Sequence, residues 1–574
     1  MATLRIFGLL FLCASLSCKK KEQPPAPVEP TPVTPEKVVA VKDPEVAKTI
    51  GFFLDDWQAR KFEAPAYSEK AFTGALASTV TVDASTVITK IPRSVFGNNA
   101  VWWMGNLSQQ AMADVKNLQT HVTRFPGGNS ASNYFWNAEQ DKLPADVPLL
   151  QPDKDGRSQK GDYLYGRSNY DWQFNLEKYY DLLRQSGSEG LISVNYAYAR
   201  YSTAKDPVAA AAHLAADWVR YDKGRTRYWE VGNEHFGDWQ TGYRIDVSKN
   251  QDQQPEIITG ELYGRHFKVF ADSMKKAAAE IGKPIFIGAV AFDGPATESW
   301  QTNTTKGWNA GMMKAAGDKP DFYAVHSYFT DIANVNAATI LSDASSVPGK
   351  MMSFISGDLQ KNGAAVKPIA LDEWNMFAKD AKQQVSNVSG LFAVLVLGES
   401  LTSKYGLTAR WDMLNGWDNG NDHGLFSAGD EPGIPKWNPR PSFYYMYYFQ
   451  KFLGDRLVPV SVSGNAGLKA FASTYSSGEL NVSIVNTSTS AQSTELKYKN
   501  FIPGKRYFWY TLEGGTDNAE FSRKVLVNGV GPSLDAGGPS TYSSIKAFSA
   551  LAEKGLKITV PARGAVFMVV EKGN

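Results

Sequence analysis

Arg227-Tyr228-Trp229-Glu230-Val231-Gly232-Asn233-Glu234 is the stretch on which the fold turns. Its first five residues are aromatic, β-branched or strand-compatible, and Gly232-Asn233 stops them. A carboxylate, Glu234, follows at once. Pro368-Ile369-Ala370-Leu371-Asp372 has the same make, and Glu373-Trp374-Asn375 follows it. Six more short apolar runs match these two, at 95–97, 121–125, 191–195, 284–289, 322–326 and 407–411. Helical stretches separate them. The stretch 206–221 opens on Asp-Pro, an N-cap followed by a first-position proline. In 261–281, Leu262, Phe267, Phe270, Met274 and Ala277 recur near helical spacing.

Strands alternating with helices predict a parallel sheet with helical crossovers. Eight units in about 350 residues fit a (β/α)8 barrel with enlarged loops. An open doubly wound sheet fits less well, because no glycine-rich phosphate loop follows the first strand. The run Phe443-Tyr444-Tyr445-Met446-Tyr447-Tyr448-Phe449 reads as the last barrel helix. Short strands then succeed one another, Leu480-Asn481-Val482-Ser483-Ile484-Val485 among them. They predict an appended antiparallel β-sandwich. The stretch 78–92 also reads as strands, and Phe52-Phe53-Leu54-Asp55-Asp56-Trp57 as a docked segment. The expected organisation is a leader over 1–17, a lipidated cysteine and proline-rich linker over 18–42, and an N-terminal segment over 43–94 whose strands join the sandwich. The catalytic barrel is expected over 95–450 and the sandwich over 451–574.

The first residues carry a lone Arg5 and then the apolar run Ile6-Phe7-Gly8-Leu9-Leu10-Phe11-Leu12-Cys13-Ala14. This is the pattern of a secretory leader and is too short to span a bilayer. Small residues lead to Cys18 and Lys19-Lys20-Lys21, which resembles a bacterial lipoprotein signal with Cys18 as the lipidated residue. Both cysteines of the chain fall in this leader. Six prolines between Gln23 and Glu36 make the next stretch a semi-rigid spacer. The expected location is extracytoplasmic, at an outer membrane, with membrane contact only through the N-terminal lipid.

Of 574 residues, 60 are Lys or Arg and 58 Asp or Glu, a net charge of +2. That balance argues against a nucleic-acid partner. A hydrophobic share of 43% argues against disorder. The 15 tryptophans are the unusual feature, and only Trp57 and Trp509 lie outside 95–440. Flat rings there suit a neutral polymer with apolar faces.

Glu234 ends the fourth strand and Glu373 the seventh, so a closed barrel sets them across its mouth. Glycoside hydrolysis needs such a pair, one acid for the leaving oxygen and one carboxylate to attack or to activate water. The chain resembles clan A of the glycoside hydrolases. With Arg124-Phe125-Pro126-Gly127-Gly128-Asn129 and Asp372-Glu373-Trp374-Asn375, it resembles the family 51 α-L-arabinofuranosidases in particular. The residues after Glu234 and after Asn129 depart from that family's pattern, and agarases and porphyranases of the same clan compete.

The resemblance implies a retaining hydrolase with Glu234 as acid/base and Glu373 as nucleophile. Its substrate would be a plant or algal polysaccharide or its oligosaccharides. The alternatives are an endo-acting β-glycanase on a red-algal galactan, a non-catalytic glycan-binding lipoprotein, and an unrelated barrel enzyme. Glu234 is expected to have a raised pKa and Glu373 to be ionised. Asn233 is expected on the sugar 2-hydroxyl, His326 on the nucleophile, and Arg124 on Glu373 and substrate hydroxyls. Trp411 is expected as a stacking floor. Asn129, Asn195, Tyr328, Trp374, Trp239 and Trp136 complete the candidate substrate contacts, with Trp102, Trp103 and Trp417 in loops on the same face. The 418–423 loop misses calcium-loop spacing and reads as a polar substrate loop. No metal or cofactor is expected.

Overall fold

The computed structural model describes residues 42–330, 335–377, 382–420 and 422–573. The leader, Cys18 and the linker as far as residue 41 lie outside them. Eight parallel strands close into a barrel. They are β1 (Gly97–Asn99), β2 (Val122–Phe125), β3 (Glu189–Val194), β4 (Thr226–Val231), β5 (Phe286–Val290), β6 (Phe322–Ser327), β7 (Ile369–Trp374) and β8 (Leu407–Arg410). Closure is made by β8 against β1, with Ala409 opposite Gly97 and Arg410 opposite Asn98. The expected first strand, 95–97, shifts toward the C-terminus. Arg93–Val95 form a single 3-10 turn. Gly97 then starts the strand, where a Cβ would lie 2.4 Å from the Thr408 carbonyl oxygen. Only glycine lets these two strands meet so closely.

The helices form where the sequence caps them. The Asp206 carboxylate accepts from the Ala209 N–H at 3.0 Å and starts the helix Pro207–Asp222. The Thr259 hydroxyl does the same for Gly260–Glu280. The helix Asn387–Thr402 is different, with buried residues on every side. It is wedged between the barrel and the C-terminal sheets, and a ring lies on each of two glycines, Tyr445 on Gly390 and Phe471 on Gly398.

Phe52 and Phe53 plug the N-terminal end of the barrel. Phe52 stacks on Phe286 with centroids 3.7 Å apart, and Phe53 meets Tyr228 at 5.0 Å. With the bottom sealed, the C-terminal mouth is where a ligand reaches the strands.

Beyond the barrel stand a nine-stranded and a four-stranded sheet. Val80, Val82, Val482, Ile484, Leu496, Ile558, Val566 and Met568 are among the residues of the core between them. Most pairings are antiparallel, but two are parallel. Ser78–Asp83 runs alongside Gln492–Lys499, and Tyr67–Glu69 alongside Ala547–Leu551. The N-terminal strands precede the barrel and enter these sheets from outside the meander, so hairpin geometry does not fix their direction. Among the described residues no helix is long and apolar enough to cross a membrane.

Candidate active site

Arg124, at the end of β2, is the hub of the mouth. It is wholly buried. Its Nε donates to Glu230 Oε2 at 2.9 Å, and its Nη2 lies 2.8 Å from the same oxygen. Nη1 donates to Asn99 Oδ1 and to Glu373 Oε2, both at 3.0 Å, and Nη2 also donates to Asn233 Oδ1 at 2.8 Å. Hydrogen bonds occupy four of its five N–H groups, and the fifth sits on Nη2, 2.8 Å from a Glu230 oxygen. Arg124, wholly buried, therefore fixes Glu373 and Asn233 and offers no exposed donor to a substrate hydroxyl, which corrects half of its expected role.

Glu234 and Glu373 meet at the centre. One oxygen of each, with a ring nitrogen of His326, lie within 4.8 Å of one another. The Tyr328 hydroxyl donates to Glu373 Oε1 at 2.7 Å. The Trp239 indole N–H donates to Glu234 Oε2 at 2.9 Å. His326 Nδ1 lies 3.2 Å from Glu234 Oε1 and 3.8 Å from Glu373 Oε2. Tyr328 is thus the closer support of Glu373, and His326 belongs first to Glu234. Beneath them, His326 Nε2 faces Asp372 at 3.4 Å and Glu230 at 3.6 Å.

Four carboxyl groups here face two cations. Burial pushes the His326 pKa down, but the surrounding Glu373, Asp372, Glu230 and Glu234 push it well above the usual histidine range. Burial raises Glu234, but the hydrogen bond and charge of His326 outweigh it, with help from Trp239 and Arg124, so Glu234 lies below the usual carboxylate range. Burial raises Glu373 too. The charge of His326 offsets this only in part, the negative charge of Glu234 adds to it, and Glu373 lies above that range. The free protein therefore reverses the expected polarity of the pair, because the imidazolium sits nearer to Glu234. The donor sets Glu230–His326–Asp372 and Glu234–His326–Glu373 are close enough to hold a metal ion. Arg124 and the imidazolium already supply positive charge to both.

The other candidates divide. Asn233 is fully buried, its oxygen taken by Arg124 and one N–H given to Gln240 Oε1 at 3.2 Å. One amide N–H is left over. Gln240 also donates to Asn129 at 2.8 Å and to Ser132, so the exposed Asn129 sits at the rim on a polar chain running from Asn233. The Trp411 ring lies against Gly127 and Gly128, where a Cβ on Gly128 would stand 2.5 Å from it. Both glycines have positive φ. Their missing side chains make room for the ring. Trp103 meets Trp411 edge-on at 6.3 Å.

Two expected contacts are turned away from the mouth, and two are engaged elsewhere in part. Trp374 is fully buried and points away from the mouth toward Phe392. Trp136 stacks on Trp218 and donates to the Leu214 carbonyl, behind the barrel wall. Asn195 is engaged locally, accepting from the Tyr198 N–H and donating to the Tyr201 hydroxyl, with one amide N–H left over as in Asn233. The 418–423 loop is not a substrate loop at Asp422, which is buried against Arg440 at 2.5 Å; Asn421 lies outside the described residues.

Sequence reasoning missed Glu230, Gln240, Asp293 and Trp300. Glu230 had a signal, a charge inside an otherwise apolar strand. Asp293 follows β5, and burial pushes its carboxyl up to about 6. Trp300 lies 5.5 Å from Trp239 and is 49% exposed.

No family model matches the chain. The intracellular exo-α-(1→5)-L-arabinofuranosidase of Streptomyces lividans is 25% identical over 293 residues, which are 47% of this chain and 38% of that protein. The enzyme of that name from Acetivibrio thermocellus is 23% identical over 46% of this chain and 48% of its own. The chain thus spans about half, or less, of the length of these curated relatives. Among solved structures, the α-L-arabinofuranosidase of Thermotoga maritima in its arabinose complex superposes with a TM-score of 0.57 at 18% identity, over 86% of this chain and all of that one. A family 44 xyloglucanase from Paenibacillus polymyxa gives 0.54 at 12% identity, over 87% of this chain and all of its own. At these identities the structures speak for the fold. The chain is similar to the family 51 α-L-arabinofuranosidases and shares with them the barrel and the β-domain.

Proposed function

We propose that this protein is a retaining glycoside hydrolase, with Glu373 as nucleophile and Glu234 as acid/base, acting on α-L-arabinofuranosides of a plant polysaccharide or its oligosaccharides. The observation that carries the mechanism is the spacing of at most 4.8 Å between a Glu234 and a Glu373 oxygen. Retaining pairs stand about 5–5.5 Å apart, whereas inverting pairs need roughly 6.5–9.5 Å to admit a water. The names of the sequence relatives support the sugar.

In the first step the ionised Glu373 oxygen attacks the anomeric carbon, while Glu234 gives a proton to the glycosidic oxygen and the leaving sugar departs. In the second, Glu234 takes a proton from water, which attacks the same carbon and frees Glu373. The proton for the first step is held across the His326 Nδ1–Glu234 Oε1 contact. It rests on the imidazole in the free protein and passes to Glu234 as the leaving oxygen demands it. Arg124 and Tyr328 hold Glu373 in line, and the spare N–H of Asn233, the residue before the acid in sequence, is offered to the sugar's 2-hydroxyl. Trp411 floors the bound sugar. Trp239 and Trp300, beside Glu234, face the leaving group.

The test is the anomer released first, read by proton NMR on a substrate that the wild type cleaves. Retained configuration, with Glu373→Ala inactive and still folded, is expected; early inverted product overturns the assignment. We place the protein outside the cytoplasm, anchored through Cys18. Loss of membrane association in Cys18→Ala is the expected outcome.

A further inference from the structure

Among the described residues only three tryptophans are strongly exposed: Trp172 at 53%, Trp300 at 49% and Trp239 at 42%. All three lie in loops at the C-terminal mouth of the barrel. Trp239 donates to the acid and Trp300 packs against Trp239, but Trp172 stands apart from both. It belongs to the loop after β2, beside Tyr170, which is 49% exposed. The two rings are near-parallel, 17° apart in plane, with centroids 6.1 Å apart.

A continuous row of rings ties this pair to the site. Trp172 meets Trp102 at 5.4 Å, Trp102 meets Trp103 at 5.9 Å, and Trp103 meets Trp411 at 6.3 Å. The row crosses the loops that follow β2, β1 and β8, opposite the Trp239–Trp300 side. Two large rings held side by side in water lose hydrophobic free energy that a flat ligand would recover.

The loop is built to keep them there. The Lys178 ammonium donates to the carbonyls of Tyr170, Asp171 and Gln173, the last at 2.6 Å. The Phe174 N–H donates to the Trp102 carbonyl at 2.6 Å, which locks the loop to its neighbour in the row. Gly105, at φ +69, brings its backbone against Asp171 and Trp172, where a Cβ would stand 3.1–3.4 Å from theirs. A loop with such ties presents its rings already oriented, which spares a ligand the ordering cost.

We propose that Tyr170 and Trp172 form a distal glycan-binding platform, which holds sugars of a long chain outside the catalytic mouth on the Trp411 side. The inference rests on the glycosidase reading and narrows it to a polymeric or long oligomeric substrate. The platform takes apolar sugar faces by stacking, so it adds affinity for chains that extend past Trp411 and none for a single glycoside.

The test compares Trp172→Ala and Tyr170→Ala with the wild type on two substrates, a one-sugar aryl glycoside and a polysaccharide that the wild type cleaves. Loss of one half-covered ring contact corresponds to about a tenfold fall in kcat/KM on the polysaccharide, with the aryl glycoside unchanged. Equal behaviour on both substrates, whether both fall or neither does, overturns the platform and leaves the hydrolase reading standing. A second measurement holds if no substrate is cleaved. Mobility of the wild-type chain and of Trp172→Ala is read in native gels cast with arabinan, arabinoxylan, agarose or porphyran. Retardation by one of these that Trp172→Ala abolishes sustains the platform even if the hydrolase reading fails. Retardation by none of the four, or equal retardation of both proteins, overturns it.

Discussion

The barrel holds two buried ionic networks, and they differ in their count of charges. In the mouth, Glu230, Glu234, Asp372 and Glu373 surround only Arg124 and His326. Below the loop after β8, Arg440 pairs with Asp422 and Glu431, and Arg523 of the C-terminal sheets reaches the same Glu431. That network has two cations for two carboxylates. It is shut from solvent apart from Arg523, whose side chain is 21% exposed, and it staples the barrel loop to the sandwich. In the mouth the carboxylates are in excess, so protons must be kept, and burial raises both Asp372 and Glu373; burial raises Asp422 of the second network as well, so the charge count and the opening are what set the mouth apart. Glu234 alone of that group reaches solvent appreciably, at 18% of its side chain. Burial makes both networks costly. Imbalance together with an opening is what suits one of them to proton chemistry.

Arg124→Met strikes the contrast hardest. It strands Glu230 and releases Glu373, and unpairing a buried charge costs about 3–5 kcal/mol. Denaturant unfolding should show that loss, and turnover per folded molecule should fall with it. Arg440→Met should lower stability on the same scale with turnover per folded molecule kept. Equal loss of turnover in both variants would erase the distinction. Glu234→Gln comes next, with turnover down by about 10²–10⁴-fold, the usual worth of a general acid, and thermal midpoint held.

His326→Gln sharpens the charge argument through pH. The imidazolium lowers both Glu234 and Glu373. Without it the first-step proton has only Glu234 to rest on, so the alkaline limb, set in the wild type by proton loss from the imidazolium, moves to lower pH. Glu373 titrates higher, so the acid limb, set by its ionisation, moves to higher pH. A kcat/KM profile that did not narrow would contradict this. The smallest effect belongs to Arg523→Ala. A partly exposed partner in a pair contributes about 1 kcal/mol or less, and calorimetry should find a small fall in midpoint with activity unchanged.

Much of the barrel was legible because each strand is a short apolar run with a stop, and closure requires eight of them. Glu234 and Glu373 were legible because carboxylates after strand ends have few structural uses. Trp374 and Trp136 misled because an aromatic ring beside a motif packs behind a strand as readily as it faces a ligand. Asn195 was legible only in part, because a strand-ending asparagine also caps the turn that follows.

By itself the sequence determined the alternation of strand and helix, the caps at Asp206 and Thr259, and the two strand ends that carry Glu234 and Glu373. These are local matters, settled by side-chain period and backbone preference. Only the tertiary structure decided which side chains face inward. The register shifts between β6 and β7 at Val325/His326, and between β7 and β8 from Leu371 to Trp374. Those irregularities let consecutive Asp372 and Glu373 both reach the central cluster, against the strict alternation of a regular strand. The charge count of the mouth was likewise hidden, because Arg124, Glu230, His326 and Asp372 lie on four different strands. Only closure of the barrel brings them within hydrogen-bonding and ion-pairing distance, and with it sets which carboxyl keeps the proton.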